Sequence, residues 1–498
     1  MSEQSSFEMI AKTFQGLEEI LAQELTELGA DNIEIGRRMV SFTGDKTMLY
    51  KANFCLRTAI RILKPLKHFT AHDADEVYNE VKAIRWEDYL TTDKSFAVDA
   101  VVFSEEFRHS KFVSYRVKDA IVDYFREKTG KRPNVRINKP DVLLNIHIAE
   151  NTCTLSLDSS GESLHRRGYR QEAVEAPLNE VLAAGMILMT GWRGECDLID
   201  PMCGSGTIPI EAALIARNIA PGVFRQEFAF EKWPDFDREL FESIYNDDSA
   251  EREIPFKIYG ADVDPRAIAI AERNIKSAGV GRFIELERKA LVQWTEAPDE
   301  GFPGIMVTNP PYGQRIRVED MEGLYGLLGT KLKNVFKGYH AWIIGYRDDY
   351  FNKIGLAPSV KLPTLNGSLE CELREYVIFE GNYDSFRASG GSLRTEASVE
   401  KAEREERKRA DRRKKSFKDF KDFKDLKGSK DFKRSKKKPR RDFDDEESEN
   451  PLAKRRNPHA LKDIIGRKPK LGDSAGRQTV MRPRRGWKRP GGDNSSDR

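Results

Sequence analysis

The stretch LIDPMCGSGT, residues 198–207, decides the fold of this chain. It has the pattern of a short buried strand, a glycine-rich turn and the start of a helix. Residues 208–217 then continue with apolar side chains at helical spacing. Because glycine has no side chain, such a turn lets the backbone pass close to a bound molecule. This order of elements is typical of a doubly wound α/β sheet, whose ligands bind beyond the carboxyl ends of the strands.

The residues of the turn favour one kind of ligand. A dinucleotide-binding turn has a third glycine five residues after the first, and that position is Pro209 here. The lysine of a nucleotide-hydrolysing loop is also missing. Asp200 would repel a pyrophosphate but attract the ammonium group of a methionine moiety, so we expect S-adenosylmethionine, with a purely structural turn as the alternative. The expected contacts in this stretch are Asp200, Pro201, Cys203, Gly204, Gly206 and Thr207.

A second strand ends in acidic residues at IYGADVDP, residues 258–265. An acid at the end of the second strand of such a sheet binds ribose hydroxyls, and we assign this role to Asp262. Asp264 precedes a proline and is expected to cap the helix over 265–278. The distance from the glycine turn is much longer than the usual ~20 residues. Residues 218–255 therefore form an insertion, whose aromatic residues favour core packing over contact with RNA.

The tetrapeptide Asn309-Pro310-Pro311-Tyr312 follows a buried strand expected over residues 304–308. The exocyclic nitrogen of a purine is a poor nucleophile, because its lone pair is delocalised into the ring. An asparagine oxygen and a backbone carbonyl, held rigidly by prolines, can each accept one of its N–H bonds and orient it for attack. A tyrosine ring can stack on the base. An ordinary turn is the alternative interpretation.

These motifs together resemble a known family. DPMCGSGT at 200–207, GADVDP at 260–265 and TNPPYG at 308–313 are similar to the large-subunit rRNA guanine-N2-methyltransferases that carry a THUMP domain. The resemblance extends over residues 7–382 and includes GLEE at 16–19, RVKDAIVD at 116–123, RPNV at 132–135, LHRRGYR at 164–170 and NG at 366–367. It implies a THUMP module that docks structured RNA. It also implies a class I methyltransferase that transfers a methyl group to the N2 atom of a guanine in 23S rRNA or a large-subunit precursor.

Two departures from the family keep alternatives open. The acid that usually closes the third strand and contacts the adenine of the cofactor is replaced by Ala290. No second glycine-rich motif follows residue 320, so the fused second methyltransferase of some members is not implied. The alternatives are an amino methyltransferase acting on adenine N6 or on tRNA or DNA, and a ribosome assembly factor without catalytic activity, which the alanine favours.

The predicted architecture is α/β, with an α+β ferredoxin-like and THUMP module before a class I Rossmann-like methyltransferase domain. We expect a ferredoxin-like piece over residues 1–70, a THUMP domain over 71–165 and the methyltransferase domain over 166–384. A basic, disordered tail is expected over 385–498. Helices are predicted at 17–28, at 110–127 and from residue 176 to about residue 190, and a late strand at 374–379 is predicted to form an antiparallel sheet edge.

The charge distribution points to a polyanionic partner. Residues 401–498 hold 35 Lys and Arg and 18 Asp and Glu, whereas residues 1–400 hold 49 and 63. Such a tail would bind RNA weakly by counterion release. Candidate RNA contacts in the folded part are Arg116, Lys131, Arg132, Arg166 and Arg167, with Arg108, Lys111 and Arg136 nearby. Arg166, Arg167 and Arg170 could each contact RNA or join the two halves of the chain.

Cysteine usage and hydropathy bear on the cellular compartment, on metal binding and on membrane insertion. The five cysteines show no CxxC spacing, which argues against a zinc site or a disulfide framework and favours a reducing compartment. No run of 18 apolar residues predicts a membrane span. We therefore expect a cytoplasmic protein without a metal. The thiol of Cys203 is not expected to act as a nucleophile, because methylation of an amino group needs no covalent intermediate.

Overall fold

A computed structural model describes residues 6–298, 304–311, 320–379 and 381. Tyr312 and the tail over 385–498 lie outside this range, so the predictions made for them stay predictions.

The N-terminal module is built on one mixed sheet with the strand order β2-β3-β1-β4-β8-β7-β5-β6 among the described residues. Its strands are β1 (Phe7–Lys12), β2 (Asp31–Gly36), β3 (Met39–Gly44), β4 (Arg61–Thr70), β5 (Ser95–Phe103), β6 (Asn134–Val135), β7 (Val142–Ala149) and β8 (Thr152–Asp158). Its helices are α1 (Glu18–Glu27), α2 (Lys46–Cys55), α3 (Ala74–Lys82) and α4 (Ser110–Thr129). Since β4 pairs with both β1 and β8, the two α+β pieces expected from the sequence share a continuous sheet.

The longest of these helices, α4, follows the predicted pattern. Val113, Val117, Ala120 and Ile121 are buried on one face, which is the stripe that the sequence indicates. The helix ends at Gly130, whose positive φ of 66° suits a C-cap. The prediction over 110–127 is therefore confirmed, with two further residues in the last turn.

The second sheet has the strand order β11-β10-β9-β12-β13-β15-β14 among the described residues. Its elements are α5 (Glu180–Met189), β9 (Leu198–Asp200), α6 (Thr207–Ala216), α7 (Arg238–Tyr245), β10 (Ile258–Asp262), α8 (Pro265–Ala278), β11 (Ile284–Arg288), β12 (Ile305–Thr308), α9 (Met321–Asn334), β13 (His340–Gly345), α10 (Asp348–Ile354), β14 (Val360–Asn366) and β15 (Leu369–Val377). The strands from β11 to β13 are parallel, and β15 is antiparallel to β13. The predicted doubly wound sheet with an antiparallel edge is confirmed.

Two differences from the predicted elements have physical causes. The helix expected from residue 176 begins at Glu180, because the Asn179 side chain accepts hydrogen bonds from Val181 and Leu182 and caps it there. The strand β14 was not predicted, since Pro363 interrupts its pattern. It is the outermost strand of the described sheet, a position at which proline is tolerated.

The insertion over 218–255 packs against the N-terminal module. Phe228, Phe230, Trp233 and Phe241 are buried in the same apolar cluster as residues of α2. The ring of Phe230 stacks on that of Tyr50 with 4.5 Å between centroids. The preference for core packing over an RNA-facing role is therefore confirmed, and the core concerned belongs to the N-terminal module.

Candidate active site

The strands β9 and β12 place two motifs at one edge of the second sheet. They are parallel neighbours, with Leu198 opposite Ile305 and Ile199 opposite Met306. The glycine turn after β9 and the N-P-P loop after β12 therefore leave the sheet side by side. Successive helices pass to opposite faces of a doubly wound sheet at such a point, which opens a crevice between the two loops.

One buried hydrogen bond joins the two loops. The Thr308 hydroxyl at the end of β12 donates to Oδ1 of Asp200 at the end of β9, over 2.8 Å. Both side chains are buried. The same carboxylate oxygen accepts from the Met202 backbone N–H at 3.3 Å. No role was predicted for Thr308, although a polar residue at the last position of an apolar strand could have signalled one.

The two glycines of the turn are required by its backbone. Gly204 and Gly206 have φ values of 54° and 80°, in the left-handed region that side chains disfavour. A Cβ on Gly206 would also lie 3.1 Å from the Cβ of Ala271 in α8. The turn thus ends directly at the N-terminus of α6, where backbone N–H groups favour a negatively charged ligand group.

Asp262 ties the second strand to the turn. Its Oδ2 atom accepts from the Gly204 backbone N–H, and its Oδ1 atom accepts from that of Asp264, both at 2.9 Å. The side chain of Asp264 accepts from the Arg266 N–H and caps α8, which confirms the predicted cap. Asp262 therefore presents a half-buried carboxylate at the same edge as Asp200.

Burial sets the protonation of this edge. Burial, with a smaller contribution from the nearby Asp262, raises the pKa of Asp200 to about 7, against the lowering effect of the Thr308 and Met202 hydrogen bonds. Burial also raises the pKa of the Cys203 thiol well above its usual value. That thiol stays protonated, in agreement with the expectation that it is not a nucleophile.

Asn309 and Pro311 are half-buried and Pro310 is buried at the end of β12.

After the third strand, where the acid of the family is missing, the Ala290 backbone N–H donates to Oε1 of Gln293 at 2.7 Å. The neighbouring second strand is followed by Val263, whose side chain is 64% exposed at this edge. An exposed apolar side chain here was not foreseen, since a single valine gives no sequence signal.

The predicted RNA contacts divide into exposed and buried residues. Lys131 and Arg132 are exposed, and Arg166 is exposed beside Glu162. Arg116 pairs with Asp75 and lies over the Tyr78 ring.

The RNA contact predicted for Arg167 is wrong, and the other role that the sequence left open, joining the two halves of the chain, is the one that the structure shows. Its guanidinium is buried, pairs with Glu211 in α6 and donates to the backbone carbonyls of Arg57 and Leu164. A group enclosed in this way cannot reach a phosphate.

The strand order, the glycine turn and the N-P-P loop define a class I methyltransferase, a class whose methyl donor is S-adenosylmethionine. The chain is 38% identical over 372 residues to a putative RNA methyltransferase of Synechocystis, and the match covers 74% of this chain and 96% of that protein. The chain therefore belongs to the family of RMKL-like methyltransferases that carry a THUMP domain.

Family models match along most of the folded part. A model of the RlmL ferredoxin-like domain matches residues 8–63, the THUMP domain matches 71–158, and the RMKL-like methyltransferase domain matches 167–375. The chain is also 40% identical over 380 residues to the ribosomal RNA large subunit methyltransferase K/L of Syntrophotalea carbinolica, covering 74% of this chain. It spans 53% of that relative, or about half its length.

Solved structures superpose on about three quarters of this chain. A possible methylase from Clostridium difficile 630 superposes with a TM-score of 0.69 at 32% identity, covering 76% of this chain and all of that one. The putative methyltransferase SMU.472, complexed with SAH, has a TM-score of 0.68 at 30% identity and covers 76% of this chain and 99% of its own. A protein named a predicted N6-adenine-specific DNA methylase, from Listeria monocytogenes, has a TM-score of 0.67 at 32% identity, with coverage of 75% and 97%.

The described part of the chain shows neither a candidate metal site nor a candidate membrane span. No group of three or more His, Cys, Asp or Glu is arranged to hold a metal ion there. Nor does any helix in that part have the length and apolar character that crossing a membrane requires.

Proposed function

We propose that this protein transfers a methyl group from S-adenosylmethionine to the exocyclic N2 atom of a guanine in 23S rRNA or its large-subunit precursor. The observation that carries the proposal is the hydrogen bond from Thr308 to Asp200. It fastens the loop beginning at Asn309 to the glycine turn. A donor held by the turn and an amino group held by the loop then lie at one sheet edge, as direct transfer requires.

The residues at this edge fit the proposed donor. Gly204 and Gly206 have no side chain that would block a ligand, and the turn opens at the N-terminus of α6. We assign the methionine end to this turn and to Asp200, whose carboxylate would balance the ammonium group. Asp262 would accept from the ribose hydroxyls. The exposed side chain of Val263 offers an apolar surface for the adenine, close to the position where Ala290 supplies no acid.

In the proposed reaction, bound S-adenosylmethionine supplies a methyl group on a positively charged sulfur. The side-chain oxygen of Asn309 and the backbone carbonyl of Pro310 accept the two N–H bonds of the guanine amino group and turn its lone pair toward the donor. Pro311 keeps the loop rigid, and Tyr312 is assigned to stacking on the base. As the new N–C bond forms, the S–C bond breaks, and solvent then takes a proton from the methylated nitrogen.

No general base is required in this scheme. The amino nitrogen becomes acidic only after it has been methylated, so its proton leaves without help from a side chain. The protein therefore accelerates the reaction by orienting two reactants at short range.

The choice of RNA is supported by the THUMP domain, by the names of the relatives and by one surface of the N-terminal module. The aromatic side chains of Phe112 and Tyr115 are each 56% exposed on α4, one helical turn apart. Lys111 is exposed beside them, and the ammonium group of Lys118 lies 5.3 Å from the Tyr115 ring centroid. Exposed rings beside cations suit unpaired bases and phosphates. The target base must leave its stack to reach the crevice.

The role of Asn309 is tested by replacing it with alanine. We expect Asn309→Ala to bind S-adenosylmethionine with an affinity close to that of the unmodified protein. Single-turnover methyl transfer should fall by about 100-fold or more, as when other oriented hydrogen-bonding groups are removed from active sites. Asn246→Ala, an exposed asparagine at the end of α7, is the matched control. Unchanged transfer by Asn309→Ala would remove the proposed role.

The substrate is tested by methyl incorporation into 23S rRNA, tRNA and DNA, with nucleoside analysis of the products. The proposal expects N2-methylguanosine in rRNA. N6-methyladenine, or label in DNA alone, would instead support the activity after which the Listeria structure is named. An affinity for S-adenosylmethionine weaker than millimolar would favour the non-catalytic assembly factor.

A further inference from the structure

Arg170, at the end of the segment that joins the N-terminal module to the methyltransferase domain, contacts the glycine turn directly. Its Nη1 atom donates to the Ser205 hydroxyl and its Nη2 atom to the Thr207 hydroxyl, both at 2.9 Å. These two residues flank Gly206. A single guanidinium thus bridges the residues on either side of Gly206. The sequence did not indicate this contact.

The guanidinium is itself held in place. Its Nε atom donates to Oε1 of Glu180 at 2.8 Å, and Nη2 also donates to the Leu178 carbonyl at 3.0 Å. The Arg170 side chain is 18% exposed and that of Glu180 is 7% exposed. A planar group with bonds on both sides has little freedom, so it can transmit the position of α5 to the turn.

A second side chain fastens the same segment to the same turn. Asn274 in α8 is fully buried. Its amide nitrogen donates to the carbonyls of Ser205 and Glu172, each at 3.0 Å. Its amide oxygen accepts from the backbone N–H groups of Gln171 at 2.8 Å and Glu172 at 3.3 Å. The segment from Arg170 to Glu172 is therefore linked to the turn in two ways: directly by the Arg170 side chain, and by its main chain through Asn274.

We propose that Arg170 is a positioning residue that presets the glycine turn for the methyl donor. Two glycines give the turn its shape but also make it costly to order, because glycine loses the most conformational freedom on folding. Ser205 and Thr207 are buried, so each hydroxyl needs a partner within the protein. By supplying both partners from one rigid group, Arg170 removes part of the ordering cost that the donor would otherwise bear on binding.

The test measures donor affinity rather than methyl transfer. Arg170→Met keeps the apolar stem and removes the three donor nitrogens. We expect it to raise the Kd for S-adenosylhomocysteine, measured by calorimetry, by about 10- to 100-fold, a range that corresponds to the loss of one or two charge-assisted hydrogen bonds. Arg170→Lys should recover part of the affinity, since an ammonium group can still reach one hydroxyl. Arg273→Ala is the matched control, because Arg273 pairs with Glu172 of the same segment from the solvent side.

A double-mutant cycle separates positioning from general destabilisation. Ser205→Ala should raise the Kd by itself, and it should add little in the Arg170→Met background because both changes remove the same contact. The proposal would be overturned if Ser205→Ala raised the Kd by the same factor in the Arg170→Met background as in the unmodified protein. An unchanged Kd in Arg170→Met would also overturn it. If Arg170→Met fails to fold, Glu180→Gln weakens the hold on the guanidinium without changing a residue of the turn, and it must then raise the Kd.

The inference requires only that the turn binds the donor. Because the readout is binding of S-adenosylhomocysteine without RNA, a negative result here leaves the proposed guanine-N2 activity untouched. Equally, a different methylated base would leave the role of Arg170 in place.

Discussion

At the scale of single residues, the chemistry proposed for the sheet edge depends on Asp200 and its partners. The side chains of Asp200 and Thr308 meet although they lie 108 residues apart in sequence. The contact makes a buried carboxylate the neighbour of the glycine turn, assigned to the donor, and of the loop assigned to the base. Such a group is sensitive to pH, because burial disfavours its charged form.

The affinity for S-adenosylmethionine should therefore depend on pH around neutrality. The pKa of Asp200 is raised to about 7, and the ammonium group of the donor would favour the ionised carboxylate. We expect affinity to fall as the pH drops below about 7, by up to about tenfold per pH unit. Calorimetric titration between pH 5.5 and 8.5 checks this. Asp200→Asn should flatten the profile, and a profile as steep in that variant would contradict the assignment.

The raised pKa of Asp200 also makes the stability of the folded protein depend on pH. The folded protein holds a proton on Asp200 above the ordinary pKa of 3.8. The stabilisation from the protonated form is therefore complete at low pH and is lost as the pH rises through about 7. Binding of the donor at higher pH opposes this loss.

At the scale of elements, the insertion between α6 and β10 decides how the two halves meet. The ring of Phe241 in α7 lies 5.1 Å from that of Phe230 and 5.7 Å from that of Tyr50 in α2, measured between centroids. A helix of the methyltransferase domain thus completes the core of the N-terminal module. The aromatic composition of residues 218–255 predicted packing, but it could not indicate against which surface.

Replacing Phe241 with alanine should destabilise the protein strongly. The side chain is 4% exposed, and its removal would leave a cavity between two elements. We expect the free energy of unfolding to fall by about 3–5 kcal/mol, as for other buried phenylalanines. Chemical denaturation measures the change. Phe112→Ala, on the exposed face of α4, should change it by less than about 0.5 kcal/mol, and a similar loss in both variants would argue against the packing role.

At the scale of the whole molecule, the N-terminal module approaches the methyltransferase domain where glycines leave room. Gly185 lies inside α5, and a Cβ placed there would be 2.5 Å from the Cδ2 atom of Leu17. Gly16 similarly approaches the carbonyl oxygen of Pro363 in β14. Close contact of this kind, together with the insertion and Arg170, makes the N-terminal module and the glycine turn parts of one packed body.

Gly185→Ala sets the steric contact with Leu17 against the preference of a helix for alanine over glycine. Alanine stabilises a helix interior by about 1 kcal/mol relative to glycine, but Leu17 is fully buried and cannot move aside freely. We expect a net loss of about 1–3 kcal/mol in the free energy of unfolding. In Gly326→Ala the nearest atom would be 3.9 Å away, so that variant should gain stability. Equal gains in the two variants would show that the modules are not in close contact.

The sequence by itself determined the elements and the order of the motifs. Helix α8 was predicted over its full length, and the glycine turn, Asp262 and the N-P-P loop were found at the carboxyl ends of strands. These features are local, because apolar periodicity, glycine and proline act through the backbone of neighbouring residues.

Only the tertiary structure decided which distant side chains meet. Arg166 and Arg167 are adjacent and chemically identical, yet the first side chain is 66% exposed and the second 1%. The Thr308–Asp200 bond, the contact of Arg170 with the turn and the docking of the insertion likewise join residues far apart in the chain. Such contacts depend on how whole elements pack, and no local pattern records the packing partner.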